Sequence, residues 1–242
     1  MKKLLFILFL FPVIANGQAA ITEIVIGGNF STGGHASFTW TKTAGVLYIV
    51  IYGTVRSGAT PATVSLSGSG ETWTELGSAG GALNTTTQGR VQAFRFLCTS
   101  TVTQATSVSY SGTQEGGWFG VYQITNVITT GTNGADAITQ VVTATDNATQ
   151  HPSITMAALG GRASVLTGWI NDINPNSGSA ESGWTITEDG GFATPTTGGV
   201  VMKRENTTDN TPSWAEGGGL FSNWAGIAIE FSSSNRRRVI VN

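Results

Sequence analysis

Few residues in this chain have chemistry to offer. Its only two histidines are His35 and His151. A hydrolase triad needs a histidine held by a carboxylate and a nucleophile lifted on a sharp turn. His35 stands in Thr32-Gly-Gly-His35 and His151 directly precedes Pro152, so both read as turn residues. No G-x-S-x-G elbow precedes a helical pattern, and no H-x-H or H-E-x-x-H spacing offers a histidine metal site. No residue is therefore assigned a catalytic role, and the chain is read as not an enzyme.

Carboxylates could serve a glycosidase, which places two of them roughly 5 to 10 Å apart. The candidates are Glu71, Glu75, Glu188, Asp189 and Glu230. Glu75 follows Trp73 by two positions, so on one strand they share a face and combine an aromatic platform with an acid. Of the 7 tryptophans, Trp40, Trp118, Trp169 and Trp224 fall inside apolar runs and are expected in the core. Trp73, Trp184 and Trp214 start strands beside Gly- or Ser-containing loops. With Glu75 they form the candidate set for a sugar, although the matched positions of Trp73 and Trp184 favour a shared structural job, such as plugging the end of each half's core. Calcium needs a cage of oxygens. Asp172, Asn174, Glu188 and Asp189 stand in oxygen-rich loops, with Asp209-Asn210 as a further one, but none completes a calcium-loop pattern. No other cofactor is indicated.

The elements that must position these residues are strands. Phe38 and Trp40 alternate with Ser37, Thr39 and Thr41, and Phe94, Phe96 and Cys98 share one strand face. Arg95 is the polar exception on the opposite face and is expected to reach solvent or a partner. Val46 to Tyr52 is a continuous apolar run, as in a central strand covered on both sides. Helical periodicity is missing, and Gly, Asn, Asp and Pro clusters recur at about the 8 to 12 residue spacing of a sandwich. The single Cys98 reads as a small buried apolar residue.

The chain also repeats itself. Ala36–Thr41 matches Ser153–Ala157, and Val46–Tyr52 matches Ala163–Trp169. A Trp-Thr strand follows in each half, Thr72–Leu76 and Gly183–Thr187, and Arg90–Leu97 then matches Gly199–Arg204. Each half closes on Trp-x-Gly, at Trp118–Ile124 and Trp224–Phe231. The offset is roughly 105 to 117 residues. This predicts an all-β, antiparallel β-sandwich or jelly-roll-like fold, internally duplicated. Residues 18–131 form the first half and 132–232 the second, with Gly131-Thr-Asn-Gly134 at the junction. Whether the halves make one sandwich or two stays open. Trp118 to Val127, with the Trp-Thr pair at Trp73, resembles a loose group of phage-type and secreted β-sandwich proteins, jelly-roll or concanavalin-like in shape. That resemblance implies a structural, decorating or adhesive role.

Lys2 and Lys3 precede an apolar Leu4–Ile14 and then Ala15-Asn16-Gly17, so residues 1–17 read as a secretory signal cleaved before Gln18. Cleavage lowers the formal charge from −2 to about −4 and leaves no basic stripe for nucleic acid and no membrane anchor. Only 11% of residues are charged, under half the usual share, which suits an extracellular β-protein coated in hydroxyls and amides. Residues 233–242 form a basic tail around Arg236-Arg237-Arg238. Four N-x-[ST] sequons, at Asn29, Asn84, Asn147 and Asn206, mark polar loops. The expected protein is a non-enzymatic extracellular or virion-surface structural or adhesion protein, acting through loop tips 54–62 and 171–183. Its partners would be a surface glycan, another protein, particle neighbours or further copies of itself. The alternatives are a secreted carbohydrate-binding module and, behind it, a polysaccharide-degrading enzyme.

Overall fold

Strands differ in how many of their faces are apolar, and that difference sorts them into layers. The computed structural model describes residues 17–146, 152–161, 163–172, 179–215 and 223–233. The signal residues 1–16, the Asn147 sequon, His151, Asn174, most of the loop after residue 172, and the arginine tail lie outside them. The first half contains β1 (Ala20–Thr32), β2 (Ser37–Lys42), β3 (Leu47–Ser57), β4 (Val64–Ser67), β5 (Thr74–Ala82), β6 (Thr87–Leu97), β7 (Val102–Tyr110) and β8 (Gly116–Thr125). The second contains β9 (Ile138–Asp146), β10 (Ala163–Asn171), β11 (Ser179–Ala180), β12 (Thr185–Ala193), β13 (Thr196–Thr207), β14 (Trp214–Ala215) and β15 (Trp224–Phe231). The predicted all-β antiparallel architecture is what the protein has. Among the described residues no helix is long and apolar enough to cross a membrane.

β2 alternates exposed and buried residues because it lies in an outer layer with one wet face. β10 and β15 are buried at every residue, and β3 is buried from Leu47 to Val55, because each sits mid-sheet with another layer on both sides. The large sheets are ordered β1-β8-β3-β6-β5 and β9-β15-β10-β13-β12, the same order in both halves. They pack face to face. Ile49, Ile51, Trp118 and Tyr122 of one meet Leu166, Ile170, Val201 and Ile227 of the other in a shared core. The outer face of the first sheet carries a second core under the sheet β2-β7-β4. The outer face of the second carries a third under the β11–β14 ribbon, which is extended by Ile154 and Met156 donating to the backbone of Pro212 and Asn210. The halves are thus two small sandwiches joined back to back.

Register shows where the repeat is faithful. Ile51 pairs with Gly120, and its counterpart Gly168 pairs with Ile227. Ile51 fills the space Gly168 leaves, since a Cβ there would come within 2.4 Å of the isoleucine methyl. The Trp-Thr strands correspond residue for residue. Both carry a bulge at the same place, between Glu75 and Gly77 and between Ile186 and Glu188. The Trp-x-Gly runs do not. Gly120 and Ile227 are counterparts, so Trp118 corresponds to Ala225, one residue away from the match of Trp118 with Trp224. A one-residue slip changes the face. Trp118 therefore points into the shared core and Trp224 into the outer core of its half. The Trp118 indole lies between Gly53 and Gly199, where added Cβ atoms would sit 2.1 and 2.2 Å from it.

The same contacts orient the sheets. Val55 pairs with Gly89, and Ile170 lies against Gly89 while Gly168 lies against Ile51. β3 and β10 therefore run in the same direction, and the pseudo-twofold axis between the sheets lies along the strands. β3 and β10 both terminate, at Ser57 and Asn171, at one shared end of the body.

Candidate functional site

Alternation places two acids in the space between the large sheets. Glu23 shares the inward face of β1 with the buried Ile21. Glu188, just past the β12 bulge, is 4% exposed. The two side chains hydrogen-bond to each other, and burial raises the pKa of both, that of Glu188 to about 8 with its bond to Glu23 adding to the rise. One oxygen of each, Oε1, is buried with no hydrogen-bond partner. Tyr122 Oη lies 3.0 Å from Thr187 Oγ1, which donates to the Val201 carbonyl at 3.2 Å. Burial moves that phenol well above its usual range. Beside the pair, Lys203 Nζ donates to the Ile21 carbonyl, and Glu205 Oε1 accepts the Ile21 N–H at 2.7 Å. Lys203 and Glu205 are themselves paired at 3.3 Å. The edge strand of one half is thus held by side chains of the other.

A second cluster sits under the outer sheet of the first half. Lys42 and Glu71 form an ion pair with both side chains 0% exposed. Glu71 Oε2 also accepts from Trp73 Nε1 at 2.6 Å, and both its oxygens lie 3.0 Å from the Thr106 hydroxyl. The ammonium stands 5.0 Å from the centre of the Trp40 ring, and burial pulls the Lys42 pKa down to about 8. The second half repeats the device. Trp184 Nε1 donates to Asp209 Oδ2 at 3.1 Å, and that oxygen also accepts from Arg204 at 2.9 Å. Burial alone would raise the Asp209 pKa, but bonds from Thr211 and Trp184 and the Arg204 charge hold it below its usual value. In each half an indole N–H thus meets a carboxylate that is paired with a cation.

The sequence candidates fall as follows. Trp184 and Trp214 are buried, at 7% and 1% exposure, rather than standing at the surface. Trp73 is half-buried and packs on Phe96 at 5.2 Å between ring centres. Glu75 is exposed and accepts from Gln92 at 3.2 Å. Glu188 and Asp189 alternate to opposite faces, buried and exposed, so they do not converge on one ion. Asp172 stands at the end of β10, and no group of three acidic, histidine or cysteine ligands forms among the described residues. Glu230 is fully buried and accepts from Gln140 at 2.7 Å and from the Gly160 N–H at 3.0 Å. Arg95 donates to the Thr132 carbonyl at 3.5 Å, within the junction. His35 lies in the β1–β2 turn, where its N–H donates to Tyr52 and its carbonyl accepts from Tyr110. Cys98 is buried, as expected.

Reading the sequence missed Glu23 and Lys42. The signal was present for both. Lys42 continues the buried phase of Phe38 and Trp40, and Glu23 continues that of Ala19 and Ile21, so each charge stands where the alternation calls for an apolar residue.

Two surface pockets, of about 290 and 260 Å³, are lined by Gly70, Thr72, Phe96, Leu97, Thr99, Thr132 and Asn133, and by Ser78–Gly80 with Thr143–Thr145. Neither lining holds a carboxylate. The acids Glu23 and Glu188 lie instead between the large sheets, Glu188 buried and Glu23 half-buried, with one oxygen of each buried. The chain matches no protein-family model, no curated protein and no solved structure, so its own geometry is what speaks to its function.

Proposed function

We propose that this is a non-enzymatic structural or adhesive protein of the extracellular or particle surface, presenting paired loops at one end of a rigid duplicated body. One observation carries the reading: the axis relating the halves runs along the strands, so β3 and β10 both terminate at one end of the body. Loops at the end of a sandwich are where such scaffolds place recognition. The first of these is the segment 58–63, since β3 extends to Ser57. The β5–β6 and β12–β13 hairpins reach the same end. The ionisable groups fit a structural role as well, since Lys42, Glu71, Glu188, Glu230, Arg204 and Asp209 are engaged in internal ties.

The test uses the exported protein with light scattering, sedimentation with the cells or particles that make it, and tryptophan fluorescence against a glycan panel. Self-association or co-sedimentation that is lost when residues 58–63 are replaced by a Gly-Ser linker supports the reading. A strictly monomeric protein that sediments with nothing refutes it. A saturable fluorescence change on one glycan would replace it with the carbohydrate-binding reading.

A further inference from the structure

The pseudo-twofold supplies an internal control for the carboxyl pair. Glu23 lies opposite Tyr122, which pairs with Ile49, and Glu188 lies opposite Val201, which pairs with Gly168. The counterparts at the other end of the seam are Val141 opposite Ile229, and Gly77 opposite Ala93. There the contact is apolar: a Cβ on Gly77 would touch Val141, Thr143 and Ile227 at 3.3–3.4 Å. The fold therefore closes this seam without charge, and only the β1–β12 end carries two acids and a phenol where the β5–β9 end has valine, glycine and isoleucine.

We propose that Glu23 and Glu188 form a proton-operated latch between the two halves, closed while the pair shares a proton and opened when it loses it. A hydrogen bond between two carboxyls requires that one be protonated. Two bare carboxylates side by side repel, and the burial of Glu188 and half-burial of Glu23 add a desolvation penalty. The other ionisable groups facing the pair relieve it only in part: the Lys203 charge favours the ionised Glu23, but burial outweighs it. Lys203 on β13 is engaged by the Ile21 carbonyl and Glu205, and Glu205 by the Ile21 N–H. Tyr122 on β8 is neutral and bonded to Thr187. Asp189 on β12 faces away and is exposed. Opening releases the β1 edge strand from β12, so an alkaline shift loosens this end while the Val141–Gly77 end stays shut.

The sign follows from linkage. Folding raises the pair's proton affinity, so the folded state holds a proton the unfolded chain has lost between the ordinary glutamate pKa of about 4.5 and about 8. The latch is fully stabilising below that window, and its contribution falls as pH rises through it, by up to tenfold in the folded-to-unfolded ratio per pH unit. Thermal unfolding of wild type, Glu188→Gln and the double variant Glu23→Val/Glu188→Gly, which copies the other end, is measured from pH 5 to 9. Backbone hydrogen exchange is followed in β1. The wild-type melting temperature should fall between pH 5 and 8 relative to both variants, with β1 exchange rising beyond its intrinsic pH dependence in wild type alone. Infrared spectra of the wild type at pH 7 should show a protonated carboxylic acid, a readout that survives even if a variant misfolds. Parallel pH profiles in wild type and Glu188→Gln, or no acid band, would overturn the latch. So would a melting temperature raised at pH 8 by calcium in wild type and not in Glu188→Gln, which would assign the site to a metal.

Discussion

Glu71→Ala removes the acceptor shared by Lys42, Trp73 and Thr106. Lys42 is fully buried and cannot turn to water. One outcome keeps it charged without a partner, at a cost of about 3–5 kcal/mol. The other sheds its proton. With Lys42 titrating at about 8 in the wild type, giving up that proton costs about 1.4 kcal/mol at pH 7 and almost nothing at pH 9. The cheaper route sets the penalty, about 1–2 kcal/mol at neutral pH, against a typical domain's stability of about 5–15 kcal/mol. The half-buried Trp73 can find water and adds little. Urea unfolding of wild type and Glu71→Ala at pH 7 and pH 9 measures the penalty, and the difference between the proteins cancels groups common to both, the seam carboxyls included. The penalty should shrink by about 1.4 kcal/mol in all between pH 7 and pH 9, most of it by pH 8, because above its pKa of about 8 the wild-type Lys42 is itself the neutral amine that a partnerless cavity accepts. Lys42→Met combined with Glu71→Gln should recover most of the loss, since a buried pair replaced as a unit is often neutral. A penalty under about 1 kcal/mol at pH 7, or one unchanged at pH 9, refutes the buried-pair account.

Gly168→Ala drives a Cβ into the Ile51 methyl and should cost about 1–3 kcal/mol by overpacking; Ile51→Val in the same chain should return part of it, both read as urea midpoints. Asn133 holds the junction by donating to Thr72, Thr74 and Arg95 and accepting from the Leu97 N–H, with a φ of 54°. Asn133→Ala should therefore cost about 1–3 kcal/mol, while Asn133→Gly, which keeps the backbone conformation, should cost less; equal losses would discount the left-handed geometry. Intact-mass measurement of the exported protein should place its first residue at Gln18, and a retained Met1 would refute the signal reading.

Strand content and layer were legible in the sequence because both are local. Period-2 alternation in Ser37–Lys42 announced an outer strand, and the unbroken apolar run from Val46 marked one buried on both faces. The Trp-Thr match at Trp73 and Trp184 was legible for the same reason, a short pattern tied to one bulge. The Trp-x-Gly match failed by one residue because similar letters carry no information about which face they take; that depends on pairing with β3 and β10, distant in the chain. Glu23 and Glu188 look like ordinary strand acids until the halves are stacked. Only the tertiary structure joined two repeats back to back, set their shared axis along the strands and closed an acid pair at one end of a seam that is apolar at the other. The physical reason is range: alternation is written within a few residues, whereas the partner of each inward face is chosen by long-range packing between halves.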